Sequence, residues 1–220
     1  MEGQYLKVLE NLLFLKLSLN ICALLVSVIA PLFGIDTPVT VMQMLWINMI
    51  MDTLAAFAFS FEPPLEEYME ELPKTKDEPI LNKYMQSEIL LTGLYSAVVS
   101  ILFLKLNIFK SFFRSFNTDY YLLTAFFGLF IFMGIFNSFN ARTFRLNILS
   151  NILKNKVFLI TFMLIIIIQV ILIYYGGDLF RTYGLSLKEF YLMIMIAFSI
   201  IPVDFIRKLV LRLKGIKGSV

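Results

Sequence analysis

Six apolar runs constrain this sequence more than any other feature. They lie at roughly 11–33, 39–60, 88–108, 119–139, 156–175 and 189–206. A helix of about 20 residues rises about 30 Å, the thickness of the hydrocarbon core of a bilayer, and each run is near that length. The Ile, Val and Phe content would favour strands in water. Inside lipid, backbone N–H and C=O groups must bond internally, so the runs are read as helices. The expected fold is all-α: a polytopic transmembrane helix bundle of six spans. Composition agrees, with 59% hydrophobic residues and a mean hydropathy of +0.81. Charged residues make up 16%, against about 25% in soluble domains.

The connections carry the turn chemistry and the charge. Pro31 to Pro38, with Gly34 and Asp36, is short enough to make the first two spans an antiparallel pair. Pro63–Pro64 stops the second span. An acidic loop follows (Glu62, Glu66, Glu67, Glu70, Glu71), read as a solvated interfacial segment. Gly176–Gly177 ends the fifth span, and Pro202 kinks the sixth. Tyrosines at span ends, among them Tyr120, Tyr174 and Tyr191, fit an interfacial belt.

Positive charge sets the orientation. Lys7, the 61–87 loop, the 142–156 connection and the C-terminal segment together carry thirteen Lys and Arg residues. The opposite side carries five: Lys105, Lys110, Arg114, Arg181 and Lys188. The richer side is expected in the cytoplasm, with both termini. Glu2, Lys7 and Glu10 precede the first run without a cleavage site, so that run reads as a retained span. The net charge of +3 is explained by this bias, and no nucleic-acid partner is implied. With no histidine and one cysteine, zinc, haem and iron–sulfur centres are not expected. Cys22 is read as a small hydrophobe.

Polar groups inside the runs are the functional candidates. A carboxylate at a span centre costs roughly 2.5–3.5 kcal/mol on insertion scales, yet Asp52 lies midway along the second run. Asn48 is four residues earlier, on the same face of a continuous helix. Carboxylate and amide oxygens converging in a dry site suit a hard cation such as calcium or magnesium. The competing reading is a protonated or paired structural Asp52. Asn20, mid-way along the first run, would add an amide oxygen or act as interhelical glue. Lys16 is read as snorkelling to the interface. Asn137 and Asn140 are read as fixing helix ends or making contacts, Gln169 as an interhelical contact, and Asp204–Arg207 as an i,i+3 pair at the interface.

The run Gln43-Met-Leu-Trp-Ile-Asn-Met-Ile-Met-Asp-Thr-Leu-Ala, with its trailing Glu62-Pro-Pro, resembles the sixth transmembrane helix of P-type calcium-transporting ATPases. The plasma-membrane, calmodulin-regulated branch is the closest in pattern. Leu17-Ser-Leu-Asn20 resembles the fifth helix, Phe136-Asn-x-x-Asn140-Ala-Arg142 the end of the eighth, and Ile201-Pro-Val-Asp204 the tenth. The resemblance implies that 1–220 is the C-terminal membrane domain, helices five to ten. It also implies that Asn48, Asp52 and Asn20 are metal ligands for a transported calcium ion. Met51 stands where reticulum-type pumps have a ligand Thr, and plasma-membrane-type pumps also carry Met there. Ala23 replaces a ligand Glu of the fifth helix, and Gly134 a Glu or Gln of the eighth. The resemblance therefore implies at most one calcium site, shared with a fourth helix whose Pro-Glu-Gly-x-Pro motif these residues lack.

No Asp-Lys-Thr-Gly-Thr phosphorylation motif, nucleotide domain or actuator loop occurs in these residues. ATP and magnesium enter only through domains supplied elsewhere, and no catalysis is expected of the isolated chain. Its expected partners are the lipid bilayer and either a chain supplying the catalytic domains with the first four helices or an intact pump. A non-transporting scaffold or regulatory partner derived from a pump is the alternative. The membrane is expected to be the plasma membrane or an internal store.

Overall fold

The computed structural model describes residues 2–35, 37–61, 83–114, 119–148 and 152–215. The acidic loop after the second run lies outside them. The described residues form helices joined by short turns, with no strand among them. Six helical stretches are long and apolar enough to cross a membrane: Val8–Leu32, Val41–Ser60, Lys83–Lys105, Tyr120–Ala141, Lys156–Tyr175 and Leu187–Leu213. The chain is an integral, multi-pass membrane protein.

Span one is α1 (Glu2–Leu32), with Pro31 in its last turn. Span two is composite: α2 (Val41–Leu45), a π-helical segment (Trp46–Met51) and α3 (Asp52–Ser60). Span three is α4 (Lys83–Lys105), followed by the short α5 (Asn107–Phe112), and span four is α6 (Tyr120–Ala141). Span five is α7 (Lys156–Tyr175). It ends where sequence analysis placed its stop, at Gly176–Gly177, with Gly177 at φ +53 leading into α8 (Gly177–Phe180). Span six is α9 (Leu187–Phe198) and α10 (Ile200–Leu213). The break between them falls at Ser199, because Pro202 has no N–H to return to the preceding turn.

Span four is the axis of the bundle. Its apolar window is 83% buried, whereas no other span exceeds 50%. It packs against α1, α4, α7, α9 and α10. Gly128 permits this: a Cβ there would collide with the Met193 side chain and lie 3.2 Å from Ile173 Cδ1. Farther along the same helix, Phe139 packs on Phe158 and Phe162 of α7, with ring centroids 5.3 and 6.0 Å away. Cys22 is buried in the same core, its Sγ 3.9 Å from Ser100 Oγ.

A charged cluster closes the end of the bundle where α4 begins and α10 finishes. Arg207 reaches Glu88 Oε2 at 2.9 Å and Asp204 Oδ1 at 2.6 Å, and its guanidinium lies 4.5 Å over the Tyr84 ring. Lys208 Nζ meets Asp204 Oδ2 at 2.9 Å and donates to the carbonyls of Asn140 and Thr143, both at 2.8 Å. Two acids and two bases thus cancel within a buried site, and Lys208 satisfies carbonyls that the end of α6 leaves free. The expected Asp204–Arg207 pair is present, but as the core of a larger interhelical cluster. Asn140 Nδ2 donates to Ile200 O at 3.3 Å, the helix contact anticipated for it.

Candidate cation site

The second span is a continuous apolar helix by sequence, but its backbone changes pitch over Trp46–Met51. A π-helical turn shifts the bonding from i→i+4 to i→i+5, and such turns concentrate at functional sites. Asn48 lies inside this turn. Asp52 is the first residue of the α-helix that resumes after it. The two share a span, as expected, but the assumed α-helical i,i+4 relation is replaced by the wider turn. Thr53 Oγ1 donates to the carbonyl of Met49 within that turn.

Asn48 and Asn20 both lie on the outer surface of the bundle. Neither side chain makes a hydrogen bond to another described residue, so the glue role of Asn20 is not seen among the described residues. α1 and α3 pack against each other. Their outward faces carry Lys16, Asn20 and Ser27 on span one and Asn48 and Thr53 on span two. The other outward faces are apolar within the membrane: Leu90, Leu94, Val98 and Leu102 on span three, Ile160, Leu164, Ile167 and Ile171 on span five, Met195 and Phe198 on span six. Polar side chains turned outward at membrane depth therefore concentrate on spans one and two. No group of three or more His, Cys, Asp or Glu side chains is gathered in metal-binding array among the described residues.

The π turn is held from behind by the fifth span and the turn that follows it. Near its start, Thr40 and Gln43 form a reciprocal cap, Gln43 N donating to Thr40 Oγ1 at 3.2 Å and Thr40 N to Gln43 Oε1 at 2.8 Å. Gln43 Nε2 is then free to donate to Phe180 O at 2.7 Å. Arg181, in the left-handed region at φ 49, donates to Thr37 Oγ1 at 3.1 Å and to the carbonyls of Thr37 and Pro38. Burial lowers the pKa of this guanidinium from its ordinary value. At the turn itself, Trp46 Nε1 donates to Gln169 Oε1 of α7 at 3.1 Å. Beyond it, Asn155, which caps α7 by accepting from Phe158 N at 2.8 Å, sends Nδ2 to Ala58 O at 3.4 Å.

Sequence reasoning identified Gln169 as an interhelical contact and left its partner open. It missed Gln43 and Asn155. The readable signals were Thr40-Val-Met-Gln43, a capping box, and an Asn immediately before the fifth apolar run. Glu88 was also missed, although it is the one acid within the third apolar run.

Comparison with known proteins agrees with this architecture. Residues 36–210 match the family described as "Cation transporting ATPase, C-terminus". Over 212 residues the chain is 29% identical to "Calcium-transporting ATPase 8, plasma membrane-type" of Arabidopsis thaliana, covering 92% of this chain and 19% of that protein. It is 27% identical over 202 residues to "Plasma membrane calcium-transporting ATPase mca-1" of Caenorhabditis elegans, covering 87% and 16%. "Calcium-transporting ATPase PAT1" of Dictyostelium discoideum is 31% identical over 196 residues, covering 84% and 17%. The chain spans about a fifth of the length of the curated relatives it matches. With six membrane helices in one bundle and a family match over most of its length, the chain belongs to the cation-transporting ATPase C-terminus family, as the membrane-embedded C-terminal portion of a P-type calcium ATPase family member.

Proposed function

We propose that this chain forms part of the calcium pathway of a P-type calcium-transporting ATPase. In this reading Asp52 supplies a carboxylate oxygen and Asn48 and Asn20 amide oxygens to one calcium site. The observation that carries it is the outward polar face of spans one and two beside a π turn. Polar groups at membrane depth are costly in lipid and are stabilised against protein or a wet cavity. We assign the cover to helices outside these residues, which complete the site. The names of the relatives, all calcium-transporting ATPases, favour calcium as the cargo.

The membrane module in this proposal extends over 1–220, beginning ahead of the family match with the first span. The catalytic domains that handle ATP and magnesium, and the first four helices, are supplied from outside these residues. Both termini lie in the cytoplasm, and the membrane is the plasma membrane or an internal store.

The test is a calcium titration by calorimetry of the 220-residue chain reconstituted in lipid nanodiscs with a pump fragment that supplies the first four helices and the catalytic domains, with wild type beside Asp52→Asn. Micromolar binding is expected in the wild type, weakened at least about tenfold in the variant, the scale of one lost charged ligand. A chain that binds no calcium, or binds it equally well after the substitution, leaves the scaffold reading in possession.

A further inference from the structure

We propose that Gln169 is a positioning residue for the calcium site, acting through Trp46 to hold the π turn that carries Asn48 and leads into Asp52. The inference rests on the site reading above and adds a residue from a different span. Gln169 is fully buried within an apolar stretch of α7, and Trp46 is 6% exposed. The indole N–H to Gln169 Oε1 bond, at 3.1 Å, joins α7 to the first residue of the π turn.

Three observations make this more than helix glue. The first is place: the bond falls at the residue where the pitch of span two changes. A π turn is less favourable than continued α-helix, so something must hold it, and a fixed indole at its first residue sets where the extra residue is accommodated. The second is direction. Trp46 turns inward to α7, while Asn48, two residues on, lies on the outer surface. Anchoring the inner face therefore fixes the rotation at which the outer face is presented. The third is cost. Gln169 Nε2 is buried with no hydrogen-bond partner among the described residues. A buried amide left half-satisfied is unfavourable in an apolar span. An apolar side chain of the same size would pack there without that penalty, so the value of Gln169 lies in the one bond it makes.

The other links between span two and its support, Gln43 to Phe180 and Asn155 to Ala58, grip its ends. They leave the turn itself free to rewind. Among the described residues, Trp46–Gln169 is the hydrogen bond from the fifth span at the level of the turn.

The experiment compares wild type, Gln169→Met, Trp46→Phe and the double variant in the same nanodiscs, with the fragment supplying the first four helices and the catalytic domains. Met matches Gln in shape, so the fold is expected to survive, and a thermal melt of each variant checks it. Two readouts are taken. Calcium calorimetry is expected to show each single variant weakened about fivefold, the effect of one hydrogen bond. The double variant is expected to be no weaker than either single, because both act through one link. Hydrogen–deuterium exchange without calcium is expected to quicken in the peptide covering 46–52, and to stay unchanged in 120–141.

Unchanged exchange and unchanged affinity in Gln169→Met overturn the proposal, as do additive effects in the double variant. If Asp52→Asn abolishes binding while Gln169→Met does nothing, the site reading stands and the positioning role falls. If the wild type binds no calcium but exchange at 46–52 responds, the site reading falls and Gln169 remains the residue that holds the turn.

Discussion

Lys208 shows how much one side chain carries in this bundle. The side chain is 1% exposed, and its ammonium touches Asp204, the Asn140 carbonyl and the Thr143 carbonyl at once. Lys208→Met would keep the stem and delete the charge. Two carbonyls at the end of α6 would lose their donor, and the cluster would carry an excess negative charge in a buried site. The expected loss is about 3 kcal/mol, read as a lower melting temperature in detergent. A melt equal to the wild type would show that water takes over the role of the ammonium. At this scale the sequence was legible only in part. Asp204–Arg207 could be read from its i,i+3 spacing. Glu88 and the α6 carbonyls could not, because they reach the cluster from other spans and no local pattern records that. Gln169 stood out for the same reason Asp52 did, as a polar residue in an apolar run. Its partner lies 123 positions away and was invisible.

Among the elements, span two is held most deliberately. Its start is tied to the turn after α7, its centre to α7 itself, and its far end to Asn155. Asn155→Ala would remove an N-cap and the bond to Ala58 O together. The expected cost is about 1 kcal/mol, and exchange at 53–60 should quicken while 83–105 is unaffected. Equal protection in both segments would show that Phe59–Phe158 contact alone holds that end. These rings lie 5.7 Å apart, edge to face. The span boundaries were legible because hydropathy and Pro/Gly stops are local. The fifth run, 156–175, agrees with Lys156–Tyr175. The π turn was not legible. Its residues, Trp-Ile-Asn-Met-Ile-Met, contain no Pro or Gly, and it depends on contacts made from outside the span.

Across the molecule, the uneven distribution of positive charge predicts an orientation independent of any site. Cys22, the one cysteine, is 1% exposed, so the native chain offers a quiet background for labelling. Ser111→Cys, in α5, should react with a membrane-impermeant maleimide added to intact cells, whereas Lys214→Cys should react only after the membrane is opened. The reverse pattern would invert the orientation. The enclosure of span four also bears on how the protein comes to be made. Thr124, Gly128, Asn137 and Asn140 lie on a helix whose shelter includes α9 and α10. Those helices leave the ribosome after it. While they are still being synthesised, the axis of the bundle must sit in the membrane with part of its flank against lipid or an escort. Its own apolar content, with a mean hydropathy of 2.0 over its window, is what lets it wait there. The order of synthesis thus runs against the order of enclosure: the most interior helix enters the bilayer before the helices that make it interior.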